Sequence, residues 1–295
     1  MLRCGDRRGA TLTELVVVLV LLAMIGGVIM RVAVGQQRFL AAVDGVIEAH
    51  RTALDGAELP RRELRAVSAA SGGIYEMSAE HVDYRSIIGT SVICAVDSTR
   101  GTIVIPDRGA WSELTSWIVA PRQGDTVLVF TAASDSALSG WRGHTLAAAP
   151  APGGRCPVAT GLARTAAEES AALSLGITPP LDAAAGAGAS LRFVRRSRYQ
   201  LYRAGDGRWY LGFSDCAPER DVPCSSIQPV SGPFASEGVS FTFLDSSGAA
   251  TTDPMRVARM DILSRAVSDA PLRAMGFALG LRSDSVLASV ALRNR

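Results

Sequence analysis

Residues 10–31 read ATLTELVVVLVLLAMIGGVIMR, and this stretch decides how the fold begins. Residues 15–30 contain no polar side chain, and eleven of them are Leu, Ile or Val. An α-helix rises about 1.5 Å per residue, so a run of this length crosses the ~30 Å hydrocarbon core of a bilayer. The sequence therefore predicts a transmembrane helix over residues 10–31.

One charged residue, Glu14, lies near the start of this apolar run. It would cost up to about 3 kcal/mol if it were placed near the centre of a bilayer. A secretory signal peptide would carry its small-residue cleavage site after the apolar run, but Arg31 and a helical pattern follow here. The small residue Gly9 and the basic pair Arg7-Arg8 come before the run, and the positive-inside rule keeps that pair cytoplasmic. A plain signal-anchor explains these features except Glu14.

The helical pattern continues over residues 32–59. Pro60 is expected to end the helix, or to kink it before residues 61–66. A helix from Ala10 to Leu59 would be about 75 Å long, so roughly half of it would stand outside the bilayer. Its apolar side chains recur at steps of three and four residues and form a stripe for a β-sheet to cover, with His50 on the same face: Phe39, Val43, Val46, Ile47 and Leu54.

Beyond Gly72 the sequence changes to short strand patterns separated by turns. Gly205-Asp206-Gly207 lies between aromatic-rich runs and indicates a β-hairpin, and residues 245–248 form another turn. Residues 147–161 and 181–190 read as loops, and residues 165–175 as a short helix. The predicted strands are 81–88, 91–96, 102–105, 125–131, 191–202, 208–213, 239–244, 255–264 and 285–293. We therefore expect an α+β fold in which residues 60–295 form one globular domain, with an antiparallel sheet packed on the long helix.

Five cysteines occur, and Cys4 precedes the apolar run. The other four are widely spaced beyond it, which favours disulfides in an oxidising compartment. We expect a short ring closed by Cys216 and Cys224 and a longer one closed by Cys94 and Cys156, although four buried free thiols are an alternative. A zinc site is less favoured, because no C-x₂-C pair occurs and no histidine lies near these cysteines.

Charge and motifs argue against several classes of function. The formal net charge is +2, and removal of residues 1–9 leaves 30 − 3 = 27 basic and 28 − 1 = 27 acidic residues. A neutral chain offers no basic face for nucleic acid, so DNA is not an expected partner. His50, His81 and His144 lack metal-ligand spacing, and no Walker A, G-x-G-x-x-G or G-x-S-x-G motif occurs. We expect no cofactor, no metal and no enzymatic activity.

Two polar groups give weaker hypotheses of binding. Asp245, Ser247 and Asp253 supply oxygen atoms that suit calcium, but they lack EF-hand spacing, so a solvated hairpin is favoured. Four arginines alternate with apolar residues in one predicted strand. The sequence favours a charged strand face over a contact with a partner protein or DNA for these four residues: Arg192, Arg195, Arg196 and Arg198.

The N-terminal segment resembles a known processing site. The run GATLTEL (residues 9–15), preceded by a short basic leader, is similar to the processing site of type IV prepilins and type II secretion pseudopilins. The resemblance implies a leader at residues 1–9, cleavage by prepilin peptidase between Gly9 and Ala10, and N-methylation of Ala10. It also implies that Glu14, the fifth mature residue, pairs with the α-amino group of a neighbouring subunit during assembly. A carboxylate in lipid is tolerable when such a cation pairs with it.

A weaker resemblance covers most of the chain. It is to large minor pilins of the PilW kind and to type II secretion pseudopilin J, and it rests on residues 63–65 (ELR), 71–74 (SGGI), 84–85 (YR), 92–94 (VIC) and 290–294 (VALRN). It implies a pilin-like fold and a structural subunit of a type IV pilus or a secretion pseudopilus. The implied partners are prepilin peptidase, other pilin or pseudopilin subunits along residues 10–40, and inner-membrane lipid. The N-terminus would be cytoplasmic and the globular domain periplasmic before assembly.

Two other interpretations stay open at this point. The chain could be a signal-anchored periplasmic binding protein, or a membrane-anchored enzyme or sensor with an unrecognised site. A deep cleft lined by polar residues would favour the enzyme. A mature protein that still starts at Met1 would favour the signal-anchored binding protein.

Overall fold

One helix forms the N-terminal part of the structure. In the computed structural model of the chain, which describes residues 11–97, 99–107, 113–131, 140–181, 186–217, 224–268 and 281–293, α1 covers Leu12–Leu64, 53 residues. Pro60 lies inside α1, so the expectation that the helix ends there is wrong. A proline removes one hydrogen bond of a helix, but Pro60 and Leu64 are both buried against the sheet, and this packing holds the last turn in place.

The face of α1 that packs on the sheet is made of small residues. Its buried members, all at helical spacing, are Ala49, Ala53, Gly56, Ala57, Pro60 and Leu64. A β-carbon on Gly56 would lie 2.5 Å from Ser264 Oγ, which shows how closely the helix approaches the sheet. The expectation that the bulky stripe from Phe39 to Leu54 would be covered is wrong. Phe39 is 56% exposed because it lies before Ala49, the first buried residue of α1. Leu54 lies within the packed part and is still 38% exposed, because the close approach of helix and sheet favours the small side chains.

The rest of the described chain contains fourteen strands, one short helix and two 3₁₀ turns, at Val158–Thr160 and Pro254–Arg256. The short helix, α2, covers Ala166–Ser170. The strands are β1 (Ile74–Met77), β2 (His81–Val92), β3 (Ala95–Asp97), β4 (Thr102–Pro106), β5 (Ser116–Trp117), β6 (Thr126–Thr131), β7 (Gly140–Leu146), β8 (Ala151–Pro152), β9 (Ala172–Thr178), β10 (Ser190–Arg203), β11 (Trp209–Asp215), β12 (Gln228–Leu244), β13 (Arg259–Val267) and β14 (Ser283–Ala291).

The strands form a large antiparallel sheet around β10. Along one edge β10 pairs with β2; along the other it pairs first with β6 and then with β11. From β6 the sheet continues through β7, β9 and β4 to β3, and from β11 through β12 and β13 to β14. β1 and β5 pair with β2, and β8 pairs with β9. The coarse prediction, an α+β fold with one long apolar N-terminal helix and an antiparallel sheet, is confirmed.

Two main apolar cores follow this division of the sheet. The first lies between α1 and the strands β1, β2 and β10–β14 and includes Leu64, Tyr84, Phe234, Phe241, Met260 and Ile262. The second lies between the strands around β6 and β9 and includes Ile93, Ile103, Val127, Leu175 and Phe193. The C-terminal part of α1, from Ala49 to Leu64, therefore belongs to the first core, whereas its N-terminal part lies outside that core.

Most predicted strands are present with shifted ends, but the short strands β1, β5 and β8 and the longer strands β7 and β9 were not predicted. The chain forms a helix over Ala166–Ser170 and then turns into β9, so the predicted helix 165–175 is wrong in its second half. Leu173, Leu175 and Ile177 point inward at every second position, which is a strand pattern. β7 reads GWRGHTL, and its two glycines and polar residues gave little strand signal.

Two disulfides join distant or looped parts of the described chain. Cys94 is bonded to Cys156, and the pair packs with Val104 and Ala163 in a small third cluster. Cys216, at the end of β11, is bonded to Cys224, before β12. The first pair closes a separation of 62 residues and the second a separation of 8.

Candidate functional site

The expected cleavage and methylation positions, Gly9 and Ala10, lie outside the described residues, which begin at Thr11. The structure places Glu14 in the first turn of α1, exposed. Its Oε2 accepts hydrogen bonds from the Thr11 backbone N–H at 3.0 Å and from Thr11 Oγ1 at 3.2 Å. Thr11 Oγ1 in turn accepts from the Glu14 N–H at 3.3 Å.

This geometry is a capping box. It satisfies two backbone donors at the start of a helix, and the carboxylate also interacts favourably with the positive end of the helix dipole. The sequence signal was Thr11-x-x-Glu14 directly before an apolar run, and our sequence analysis missed it. Glu14 therefore has a structural role within its own helix, beside the assembly role that the family resemblance implies.

The first part of α1 has no partner in the structure. Every residue from Thr11 to Val32 is exposed, including the whole apolar run. By length and composition the helix fits a membrane anchor or a signal sequence. Exposed apolar surface of this extent is unstable in water, so the segment needs lipid or a protein partner to cover it.

At its other end, α1 is joined to the sheet by a carboxylate and two tyrosines. Tyr84 of β2 donates a hydrogen bond from its hydroxyl to Glu63 Oε2, and Glu63 also interacts with the hydroxyl of Tyr199. The two rings stack with centroids 5.6 Å apart, and both are buried. Burial raises the pKa of Tyr84, and the negative charge of Glu63 adds to this effect. Glu63 therefore fixes the end of the helix to the central strands.

Several residues that carry the weaker family resemblance meet near this joint. Arg85 donates from its guanidinium to the backbone oxygens of Ser71 at 3.3 Å and Gly72 at 3.2 Å, which holds the turn after α1. The Arg293 N–H donates to the Val67 oxygen at 3.0 Å, so the chain after β14 closes over the same turn. The ELR, SGGI and YR segments and residues 290–293 thus form one structural unit around the helix end.

Buried ion pairs, which sequence reasoning missed, run through the centre of the sheet. Asp83 of β2 is fully buried and accepts from Arg196 at 2.5 Å and from Arg198. Arg198 also contacts Glu76 at 2.8 Å. Hydrogen bonding to Asp83 is the largest of the effects that raise the pKa of Arg198.

A second buried group lies on the opposite face of β10. Arg195 and Asp125 are both 3% exposed and are 2.8 Å apart, and Arg195 also contacts Asp215 at 3.0 Å. The interpretation of these arginines as a charged, solvated strand face is wrong, because Arg195 and Arg196 are buried in pairs. Arg195 and Arg196 are adjacent in β10 and therefore point to opposite faces of the sheet, so they cannot belong to one charged face.

None of these groups, within the described part of the chain, forms a convincing metal site. Glu76, His81 and Asp83 lie close together, but both carboxylates are already paired with Arg198. Asp245 Oδ1 accepts from the N–H groups of Ser247 and Ala249, as in a self-contained turn. This agrees with the favoured interpretation of residues 245–253 as a hairpin.

Comparison with known proteins adds no assignment, because no family model, no curated protein and no solved structure matches this chain significantly.

Proposed function

We propose that the chain is a prepilin-like structural subunit, a minor pilin or a minor pseudopilin, that is anchored in the inner membrane by α1 and assembles with other subunits through it. The observation that carries this proposal is the coupling of GATLTEL at residues 9–15 to a single 53-residue helix that is bare at one end and built into a β-sheet domain at the other.

The distribution of burial along α1 supports an assembly role. Residues 11–32 are exposed throughout, whereas the buried stripe begins only at Ala49. A secretory signal peptide would be cut after the apolar run, but α1 continues through that position as one helix from Leu12 to Leu64. A cut before the run, at Gly9, leaves the exposed apolar helix on the mature protein, where lipid or neighbouring subunits can cover it.

The other described features are structural. The buried arginines are paired with carboxylates and Glu63 is bonded to two buried tyrosines, so these polar groups hold the described fold together. The alternative function is a signal-anchored periplasmic binding protein, which would keep its N-terminal residues.

N-terminal sequencing of the mature protein, produced with and without a prepilin peptidase, tests the proposal. We expect the mature chain to begin at Ala10 in the presence of the peptidase and at Met1 without it. A Gly9→Ala variant, which changes only the position before the cut, should stay unprocessed. A mature chain that starts at Met1 despite an active peptidase would refute the proposal and favour the signal-anchored protein.

A further inference from the structure

Two exposed aromatic rings lie on the outer face of the sheet, far along the chain from α1. Phe130 of β6 and Trp141 of β7 are directly paired in the register of the two strands, with ring centroids 5.5 Å apart in an edge-to-face arrangement. They are 37% and 38% exposed. Val127 and Val129, which alternate with them, point to the second core.

An arginine extends this aromatic surface. Arg192 of β10 is paired with Leu128 of β6, so it lies on the same outer face, and its guanidinium carbon is 4.1 Å from the centre of the Trp141 ring. A guanidinium stacked on an aromatic ring keeps the N–H groups of its edge free to bind a carboxylate. We call Phe130, Trp141 and Arg192 the arginine–aromatic patch.

The positive charge of this patch is not neutralised by the described residues. Arg192 forms no ion pair with any carboxylate in the described part of the chain, in contrast to Arg195, Arg196 and Arg198. Burial lowers the pKa of Arg192, and the nearby positive charge of Arg293 lowers it further. Exposed Trp and Arg side chains are the residue types that dominate binding energy at protein interfaces. The patch therefore fits a partner with carboxylates beside apolar side chains.

The exposed face of α1 over residues 43–55, which we call its outer face, carries carboxylates beside apolar side chains. Val43, Ile47 and Leu54 form an exposed apolar row. An acidic row runs beside it, one residue further along the helix, and consists of Asp44, Glu48 and Asp55. Arg51 also lies in the acidic row, so three acidic residues and one basic residue give it a net charge of −2. These three carboxylates make no ion pair within the described residues.

We propose that the arginine–aromatic patch of one copy binds the outer face of α1, residues 43–55, of a second copy of this chain. The two surfaces are complementary in charge, both carry exposed apolar side chains, and neither is covered by the residues that the structure describes. Because they are different surfaces, the contact is heterologous and repeats as an open row of subunits instead of closing a dimer. It adds a contact to the assembly role proposed above and is independent of cleavage at Gly9.

Charge exchange between copies tests the contact. Two differently tagged full-length copies would be co-expressed in one membrane, solubilised in mild detergent and quantified by co-purification. We expect Arg192→Glu in both copies to lower co-purification about tenfold, because like charges then face each other. Asp44→Arg with Glu48→Arg in both copies should lower it similarly. A mixture of an Arg192→Glu copy and an Asp44→Arg, Glu48→Arg copy should recover most of the loss.

Arg142→Glu is the matched control. Arg142 is exposed and follows Trp141 on β7, so it points away from the patch, and this variant should co-purify as the wild type does. Trp141→Ala, which removes the ring without changing charge, should also weaken the contact. The proposal is overturned if wild-type copies do not co-purify, if the Arg192→Glu variant behaves as Arg142→Glu does, or if the charge-exchanged mixture shows no recovery. Because none of these results depends on processing, a chain that stays uncleaved but self-associates would refute only the prepilin proposal.

Discussion

Glu14 has two roles, one in the structure and one in the proposed assembly. In the structure it closes a capping box with Thr11 at the start of α1. In the proposed assembly it neutralises the α-amino group of a neighbouring subunit. Both roles need a hydrogen-bond acceptor, but only the second needs a negative charge in lipid. This difference allows the two roles to be separated by substitution.

Glu14→Gln keeps the capping geometry, since Gln also serves at this position of a capping box, but it removes the charge. Thr11→Ala removes the cap and keeps the charge, at a cost of about 1 kcal/mol to the helix start. We expect both variants to be processed. Only Glu14→Gln should fail to enter assembled filaments in a complementation assay scored by immunoblot of sheared filaments. Equal incorporation of the two variants would leave Glu14 with the capping role alone.

Asp83 is the residue on which the buried charge of the sheet depends. Replacement of this fully buried carboxylate by Asn leaves Arg196 and Arg198 without its negative charge inside the protein. We expect Asp83→Asn to lower the free energy of unfolding by about 3–5 kcal/mol, measured by urea denaturation. Asp97→Asn, at a pair with Arg100 that is largely exposed, should change it by less than about 1 kcal/mol. A small effect at Asp83 would show that the network is poorly formed in solution.

At the scale of elements, the sequence predicted α1 well but predicted the wrong packed face. An apolar run and helical spacing determine that a helix forms. The face that meets the sheet depends on how closely the two backbones approach. That distance is set by tertiary packing, and here it favours Ala53 and Gly56 over Leu54. A row of small residues at helical spacing was the available signal.

For the strands, too, the sequence predicted local features but not contacts between distant residues. The hairpin at Gly205–Gly207 was predictable because its turn and both strands are local, and Arg203 does pair with Trp209. The buried pairs Arg196–Asp83 and Arg195–Asp125 join residues 113 and 70 positions apart. No local pattern relates such residues, so an arginine-rich strand reads as exposed until its acidic partners are placed on neighbouring strands. The patch around Trp141 was missed for the same reason.

Gly56 and Gly35 give a direct test of the packing between helix and sheet. A β-carbon at Gly56 would lie 2.5 Å from Ser264 Oγ and 2.7 Å from Phe234 Cζ, whereas one at Gly35 would meet nothing within 4 Å. We expect Gly56→Ala to lower the free energy of unfolding by about 1–3 kcal/mol. Gly35→Ala should be neutral or stabilising by up to about 1 kcal/mol, because alanine is the better helix former. Thermal unfolding of the two variants measures both, and equal effects would argue against close packing at Gly56.

At the scale of the whole molecule, α1 is divided into a bare part and a core part. A chain that begins at Gly45 keeps every buried residue of the helix. We expect it to fold without a membrane and to unfold cooperatively. A chain that begins at Val67 loses Leu64, whose burial alone contributes about 2–5 kcal/mol, out of a total stability of about 5–15 kcal/mol for a typical domain. It should be unfolded or aggregated by circular dichroism. A stable, cooperative fold without α1 would contradict its place in the core.

Because of the two buried tyrosines, Tyr84 and Tyr199, we expect the free energy of unfolding to fall at alkaline pH. Burial raises the folded-state pKa of Tyr84 and Tyr199 above the unfolded value of about 10. A raised folded pKa means that the stabilisation is complete below pH 10 and is lost as pH rises above it. We expect urea midpoints to fall above about pH 10. Tyr84→Phe should reduce this pH dependence while losing about 1.5–3 kcal/mol at neutral pH with the hydrogen bond to Glu63. A midpoint that does not change with pH would contradict the assignment.

The continuity of α1 has a mechanical consequence. One helix carries both the exposed apolar run and the stripe from Ala49 to Leu64, so tension applied to its N-terminal end travels along a single rod into the sheet. The load then acts in shear along the interface, where the contacts resist together, with the Glu63–tyrosine joint at the far end. Resistance to pulling is governed by the unfolding rate of the loaded state, not by equilibrium stability. A chain built in this way can transmit tension from its N-terminal helix to its folded domain.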